Sequence, residues 1–230
     1  MARPSCAALF AELGKISPYF AVGTGPYDDG WRPVAQLYTD TPLLDALIAG
    51  TAARMHTAER RVAASTFFLG FAARLWSVGL GAVAGHRMLP DLNAQQLLFR
   101  HSARRMQLHI AHPVCRQGDD LEPLLAEMVF EQHLAPLSAA LRRHGPISAR
   151  LLRGNAVSAL LGAARVFDRE ATAGRGWQLA RRLCADQRLS DAVVFDGDNY
   201  RRTSCCLYYR APGGSLCGDC VLTSAPRRVV

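Results

Sequence analysis

The chain has 230 residues and a mass of 25.0 kDa, is 50% hydrophobic and 20% charged, and has a mean hydropathy of +0.03. That balance excludes a disordered chain, a collagen-like repeat and a polytopic membrane protein, and the length suffices for one domain with a sizeable core. Basic residues outnumber acidic ones by 27 to 19, giving a net charge of +8, so the surface attracts anions. Lys15 is the one lysine; an arginine excess of this kind follows either from a GC-rich coding sequence or from a functional basic face.

Near the N-terminus, residues 7–13 form an apolar run that is too short for an export signal and is broken by Glu12 and Lys15. The expected compartment is therefore the cytoplasm. Pro18, Gly23, Gly25, Pro26 and the Asp28-Asp29-Gly30 step predict loop or ordered coil across residues 16–40. Residues 42–61 carry Leu43, Leu44, Leu47, Ile48 and Met55 at helical spacing, with Thr41 as the expected N-cap and Arg60 and Arg61 closing the helix at its C-terminal dipole. The longest apolar stretch, residues 62–85, would place Arg74 near a bilayer centre, so it reads as core. Its four glycines predict one or two packed helices with a turn. A peripheral membrane association is compatible with this pattern, an integral one is not.

Residues 91–99 fit either helix or loop, and residues 106–111 alternate with period two and predict a short strand. An amphipathic helix follows over 121–143, kinked or split at Pro136. Helices are expected again over 147–167 and 177–188. A strand at 192–195, a turn at 196–199 and a strand over 202–209 complete the chain. The expected fold class is α+β: a mainly helical single domain, 1–230, with a small antiparallel sheet. Residues 1–145 would form its mainly helical N-terminal part, and 146–230 a C-terminal part ending in a cysteine-rich, cluster-binding segment.

Of seven cysteines, four fall within sixteen positions, Cys205, Cys206, Cys217 and Cys220, spaced C-C-x10-C-x2-C. Cys6, Cys115 and Cys184 are scattered and read as small buried packing residues. In a reducing compartment a local cluster of thiols reads as a metal site before it reads as disulfides. The Cys217-Gly218-Asp219-Cys220 knuckle suits zinc and iron equally. Adjacent Cys205 and Cys206 point to opposite faces of an extended strand, so both can bind only if the backbone bends sharply there. A two-iron cluster accommodates such a pair more naturally than one tetrahedral ion, and a zinc-ribbon-like module with a basic partner- or nucleic-acid-binding surface stands as the alternative. Pro212-Gly213-Gly214 turns the chain so that the two cysteine pairs can meet. Tyr208 and Tyr209 either shield the site or pack as strand residues. Arg201, Arg202 and Arg210 offer a landing patch for an anionic partner. His109 and His112 share no face and read as structural. No G-x-G-x-x-G or P-loop is present, and no serine lies in a nucleophile-elbow context.

The run Arg202-Thr-Ser-Cys-Cys-Leu-Tyr-Tyr-Arg-Ala-Pro-Gly-Gly-Ser-Leu-Cys-Gly-Asp-Cys220 resembles the C-terminal signature of the FhuF-type ferric-siderophore reductases. The resemblance implies a [2Fe-2S] cluster held by Cys205, Cys206, Cys217 and Cys220. A second stretch, Leu152-Arg153-Gly154-Asn155-Ala156-Val157-Ser158, is similar to that family's central segment, with Arg153 standing where an aromatic residue is expected. The implied reaction passes one electron to siderophore-bound Fe(III) and releases Fe(II). Its implied partners are a ferric siderophore and a small electron carrier, namely a ferredoxin, a flavodoxin or a separate reductase. No nucleic acid is expected. Asn155, Arg153, Trp76 and Trp177 are the candidate substrate contacts.

Overall fold

The computed structural model describes residues 4–102, 105–170 and 174–226. In chain order the elements are α1 (Cys6–Leu13), β1 (Val22–Thr24), β2 (Arg32–Pro33), α2 (Gln36–Thr39), α3 (Thr41–Arg54), α4 (Arg60–His86), β3 (Met88–Pro90), β4 (Leu98–His101), β5 (Met106–Ile110) and β6 (Cys115–Gln117). Then come α5 (Leu121–Ala126), a π-helical segment (Glu127–Leu134), α6 (Ala135–Arg143), α7 (Ala149–Glu170), α8 (Arg175–Cys184), β7 (Val193–Asp196) and β8 (Asn199–Arg202). The class is α+β, as expected.

The axis of the core is α4, which packs chiefly against α7 and also against α3 and α8. It is one uninterrupted helix, not two. Its glycines serve contact and not turning: a Cβ on Gly79 would strike the Leu125 side chain, and one on Gly81 would press at 3.0 Å on Leu13 and Phe20. Arg74 is drawn in by bonds to the carbonyls of Met106 (2.9 Å) and Gly70 (2.7 Å) and by the Tyr19 ring beneath it, 4.7 Å away. Although α4 is long and apolar enough to cross a membrane, it is largely buried within the fold.

Three predicted boundaries move. Helix α3 is capped by Asp40, which accepts from Leu43 N–H at 2.9 Å, and not by Thr41. It stops at Arg54 because His56 takes a left-handed backbone (φ 50), so Arg60 and Arg61 begin α4 instead of ending α3. Residues 121–143 run on continuously, with the irregularity spread over the π-helical turn before Pro136; the proline then sits in the first turn of α6, where its missing N–H costs little.

The loop expected over 16–40 contributes two short strands to a mixed four-stranded sheet of order β1-β5-β4-β2, in which β1 runs parallel to β5 and the other pairs are antiparallel. His109, on β5, bonds the Gly25 carbonyl at 2.8 Å, a structural role. Strands β3 and β6 form a second pair, and β7 and β8 form the expected hairpin around Gly197 (φ 57).

Cys6 and Cys115 are not isolated packing residues: they are joined in a disulfide that ties α1 to β6. Their separation of 109 residues hid the pairing, because only the fold brings the two ends together. Cys184 alone of the three is a buried free thiol, its pKa pushed up to about 12 by burial.

Candidate metal centre

Strand β8, Asn199–Arg202, ends at the first residue of the strand expected over 202–209, because the chain is diverted there into the cysteine loop. Leu207 has a left-handed backbone (φ 68), which supplies the sharp bend that adjacent Cys205 and Cys206 require. In that bend Leu207 N–H donates to Cys205 Sγ at 3.3 Å and Tyr208 N–H to Cys206 Sγ at 3.5 Å. A short 3-10 turn, Tyr208–Arg210, leads to Gly213 (φ 71) and Gly214, where a Cβ would strike the Tyr208 carbonyl. The chain returns as expected, and in the second knuckle Leu222 N–H donates to Cys220 Sγ at 3.4 Å. Arg202 donates to Cys217 Sγ. Each of the four sulfurs thus receives at least one hydrogen bond from a donor that is not a cysteine.

The sulfurs lie in two pairs, Cys206 with Cys217 at 3.7 Å and Cys205 beside Cys220. Each pair joins one cysteine from either half of the motif. Among the described residues no three His, Cys, Asp or Glu side chains converge as one mononuclear site would need. Two pairs of thiols with amide and guanidinium donors fit a [2Fe-2S] cluster, which needs two thiolates per iron and hydrogen bonds to sulfur. Of the Cys206–Cys217 pair, Cys206 is the sulfur that ionises first: the hydrogen bond from Cys217, then the Tyr208 amide and Arg202, hold its thiol well below the ordinary cysteine range. Burial pushes the Cys205 thiol up.

Arg202 was expected at the surface as a docking residue, and the structure corrects this: it is 2% exposed. Its Nε lies 3.0 Å from a carboxylate oxygen of buried Asp219, and its backbone N–H donates to the Asp219 carbonyl at 3.0 Å. Nη1 donates to Asn155 Oδ1 at 2.9 Å. Asn155 Nδ2 in turn donates to the Ser65 carbonyl at 3.0 Å and hydroxyl at 2.9 Å, and Ser65 Oγ donates to the Cys206 carbonyl at 2.6 Å. The network runs from α7 through α4 to the cysteine loop and back. Gly154 lets that loop approach α7, since a Cβ there would collide with Ser204 Oγ, which donates to the Arg150 carbonyl at 3.1 Å.

Two of the four expected substrate contacts are closed off by burial. Trp76 and Asn155 are both 0% exposed, the first in the core of α4 and the second in the network just described, so neither reaches a bound molecule. Arg153 pairs with Asp191 at 2.7 Å. Trp177 packs behind the hairpin, with its ring 5.9 Å from that of Tyr200 and 6.2 Å from that of Phe195. Of the expected docking arginines, Arg210 is held by Glu59 at 2.8 Å, while Arg201 is exposed. Tyr208, 43% exposed, does not close the site to water. Sequence reasoning missed Ser65 and Asp219. The signal for Ser65 was a hydroxyl inside an otherwise apolar run, and for Asp219 a carboxylate inside the second knuckle.

Residues 202–222 match the family model of the FhuF 2Fe-2S C-terminal domain. No curated protein matches the chain.

Proposed function

We propose that the chain, whose residues 202–222 match the FhuF 2Fe-2S C-terminal domain, is a ferric-siderophore reductase acting in the cytoplasm. The observation that carries this reading is the paired set of four sulfurs, each with its own hydrogen-bond donor, two of which line an open cleft. A [2Fe-2S] cluster on Cys205, Cys206, Cys217 and Cys220 would supply single electrons at a potential within the reach of such clusters. The chain's own residues would hold the thiolates, feed positive charge to them through Arg202, and set Cys217, half-buried, and Cys220, buried, in the wall of the cleft beside a bound chelate. Oxygen donors hold ferric iron far more tightly than ferrous iron, so accepting one electron loosens the metal from its chelate. A small electron-carrier protein would replace that electron. The Cys6–Cys115 disulfide is uncommon for a cytoplasmic protein, so the compartment rests on the reaction proposed and not on cysteine chemistry.

The test is the visible and reduced-state EPR spectrum of protein purified without oxygen, with iron, sulfide and zinc assayed on the same sample. The expected result is a coloured protein with equal iron and sulfide, bleached by dithionite and recoloured by a ferric siderophore as Fe(II) is trapped by a ferrous chelator. A colourless, zinc-loaded protein without sulfide overturns the reading in favour of a zinc-bound interaction module.

A further inference from the structure

The wall formed by Cys217 and Cys220 bounds a cleft of about 1060 Å³, whose far side is the β7–β8 hairpin. That volume is at the upper limit of small-molecule sites, roughly 300–1,000 Å³. Three exposed arginines line it, Arg150, Arg165 and Arg201. Among the described residues none of the three is paired with a carboxylate. Arg150 gives its guanidinium to the Thr203 carbonyl at 3.0 Å, Arg165 reaches the Asp198 carbonyl at 3.5 Å, and the Arg201 guanidinium has no hydrogen bond or ion pair among the described residues. Other arginines nearby are paired, Arg153 with Asp191, Arg210 with Glu59 and Arg202 with Asp219. Among the described residues of the lining, Asp196 is the one carboxylate set against these three charges. A coding bias toward arginine raises the number of arginines but does not gather unpaired ones around one cleft.

We propose that this cleft seats the ferric chelate and selects chelates of net negative charge, tris-catecholates before neutral trihydroxamates. The inference rests on the reductase reading above. Three catecholate dianions around Fe(III) leave an excess of negative charge, whereas three hydroxamate monoanions leave none. The guanidinium of Arg165 lies 4.6 Å over the Tyr200 ring, which also lines the cleft, so the ring backs a flat positive group at the cleft wall. Such a surface takes an anionic aryl ring both by charge and by stacking. The cleft is concave, which favours a small chelate over the surface of a carrier protein.

Gallium(III) has the charge of ferric iron but accepts no electron, so its chelates report binding alone. The experiment titrates the anaerobically purified protein with gallium(III) tris-catecholate and gallium(III) trihydroxamate by calorimetry, at low and raised salt. The tris-catecholate is expected to bind at least about tenfold more tightly and to weaken with salt. Arg201→Ala and Arg150→Ala are each expected to weaken it about three- to tenfold and to leave the trihydroxamate unchanged. Arg201→Glu, at an exposed position, is expected to weaken it further. Equal affinity for the two chelates, or a catecholate affinity indifferent to all three variants, overturns the inference. So does a result in which the variants slow only reduction by the electron carrier, which would make the cleft a carrier-docking site. If ferric trihydroxamate is still reduced in any of these cases, the reductase reading survives the failure. A protein without cluster iron or sulfide removes that reading whatever the gallium chelates do.

Discussion

Asn155 Oδ1 accepts a hydrogen bond from Arg202 Nη1 at 2.9 Å, with Asn155 0% and Arg202 2% exposed. This contact holds the guanidinium between Asp219 and Cys217 and links the central helices to the metal centre. A buried charge so placed needs every partner it has.

Replacing Arg202 with methionine strands Asp219 without its cation, and breaking a buried pair in this way costs about 3–5 kcal/mol. It also removes the donor to Cys217 and the positive charge beside the thiolates, so the cluster potential is expected to fall. Asn155→Ala leaves Arg202 charged but loosely held. The expected cost is about 1–3 kcal/mol, with a smaller drop in potential. Redox titration followed by EPR, alongside denaturant unfolding, separates the two variants; equal potentials in both and in the unaltered protein would refute the assignment.

Gly154→Ala tests the approach of the cysteine loop to α7. The added methyl collides with Ser204 Oγ, so the loop must shift or the helix give way, at a cost of about 1–3 kcal/mol. Gly162→Ala on the same helix is the control, because nothing lies within 4 Å of its added carbon. Iron content and melting temperature should fall in the first variant only.

The Cys6–Cys115 disulfide closes a loop spanning 109 positions and restrains the unfolded chain strongly. Cys6→Ser with Cys115→Ser is expected to lower stability by about 2–4 kcal/mol. Because both residues lie outside the cysteine loop, the iron and sulfide content of the folded variant should match that of the unaltered protein. Mass spectrometry after alkylation without reductant should find Cys6 and Cys115 blocked and Cys184 free.

His133, on the π-helical segment, is fully enclosed, with Nδ1 2.6 Å from the Tyr38 hydroxyl and Nε2 2.8 Å from the Leu92 carbonyl. The carbonyl requires Nε2 to donate, so Nδ1 accepts from Tyr38 and the ring is neutral. Burial lowers its pKa from the ordinary 6.5 of histidine to about 4. The unfolded chain therefore binds a proton that the folded one refuses. This contribution is complete above about pH 6.5 and is lost as pH falls toward 4, on the order of 3 kcal/mol in all. Urea unfolding at pH 7 and pH 5 should show the loss. In His133→Gln, less stable at both, that part of the slope should vanish.

The C-C-x10-C-x2-C spacing and the turn at Pro212-Gly213-Gly214 were legible because they are local: ligand spacing and turn chemistry act within twenty residues. The helical class was legible for the same reason, since apolar residues at helical spacing mark a buried face wherever that face ends up. Helix ends were less so. The left-handed turn at His56 that separates α3 from α4 has no glycine or proline to announce it.

Determined by the sequence alone were the thiol donor set, the bend demanded by adjacent cysteines and the surplus of arginine. The tertiary structure decided which arginines are free and which are buried. Arg201 and Arg202 are neighbours on one strand with side chains on opposite faces, so the first is exposed at the open cleft while the second, 2% exposed, is sealed against Asp219 and Asn155. It likewise decided that Asn155 and Trp76 lie inside and that Cys6 meets Cys115. Burial and long-range pairing depend on which surfaces the fold presses together, and no spacing along the chain encodes that by itself.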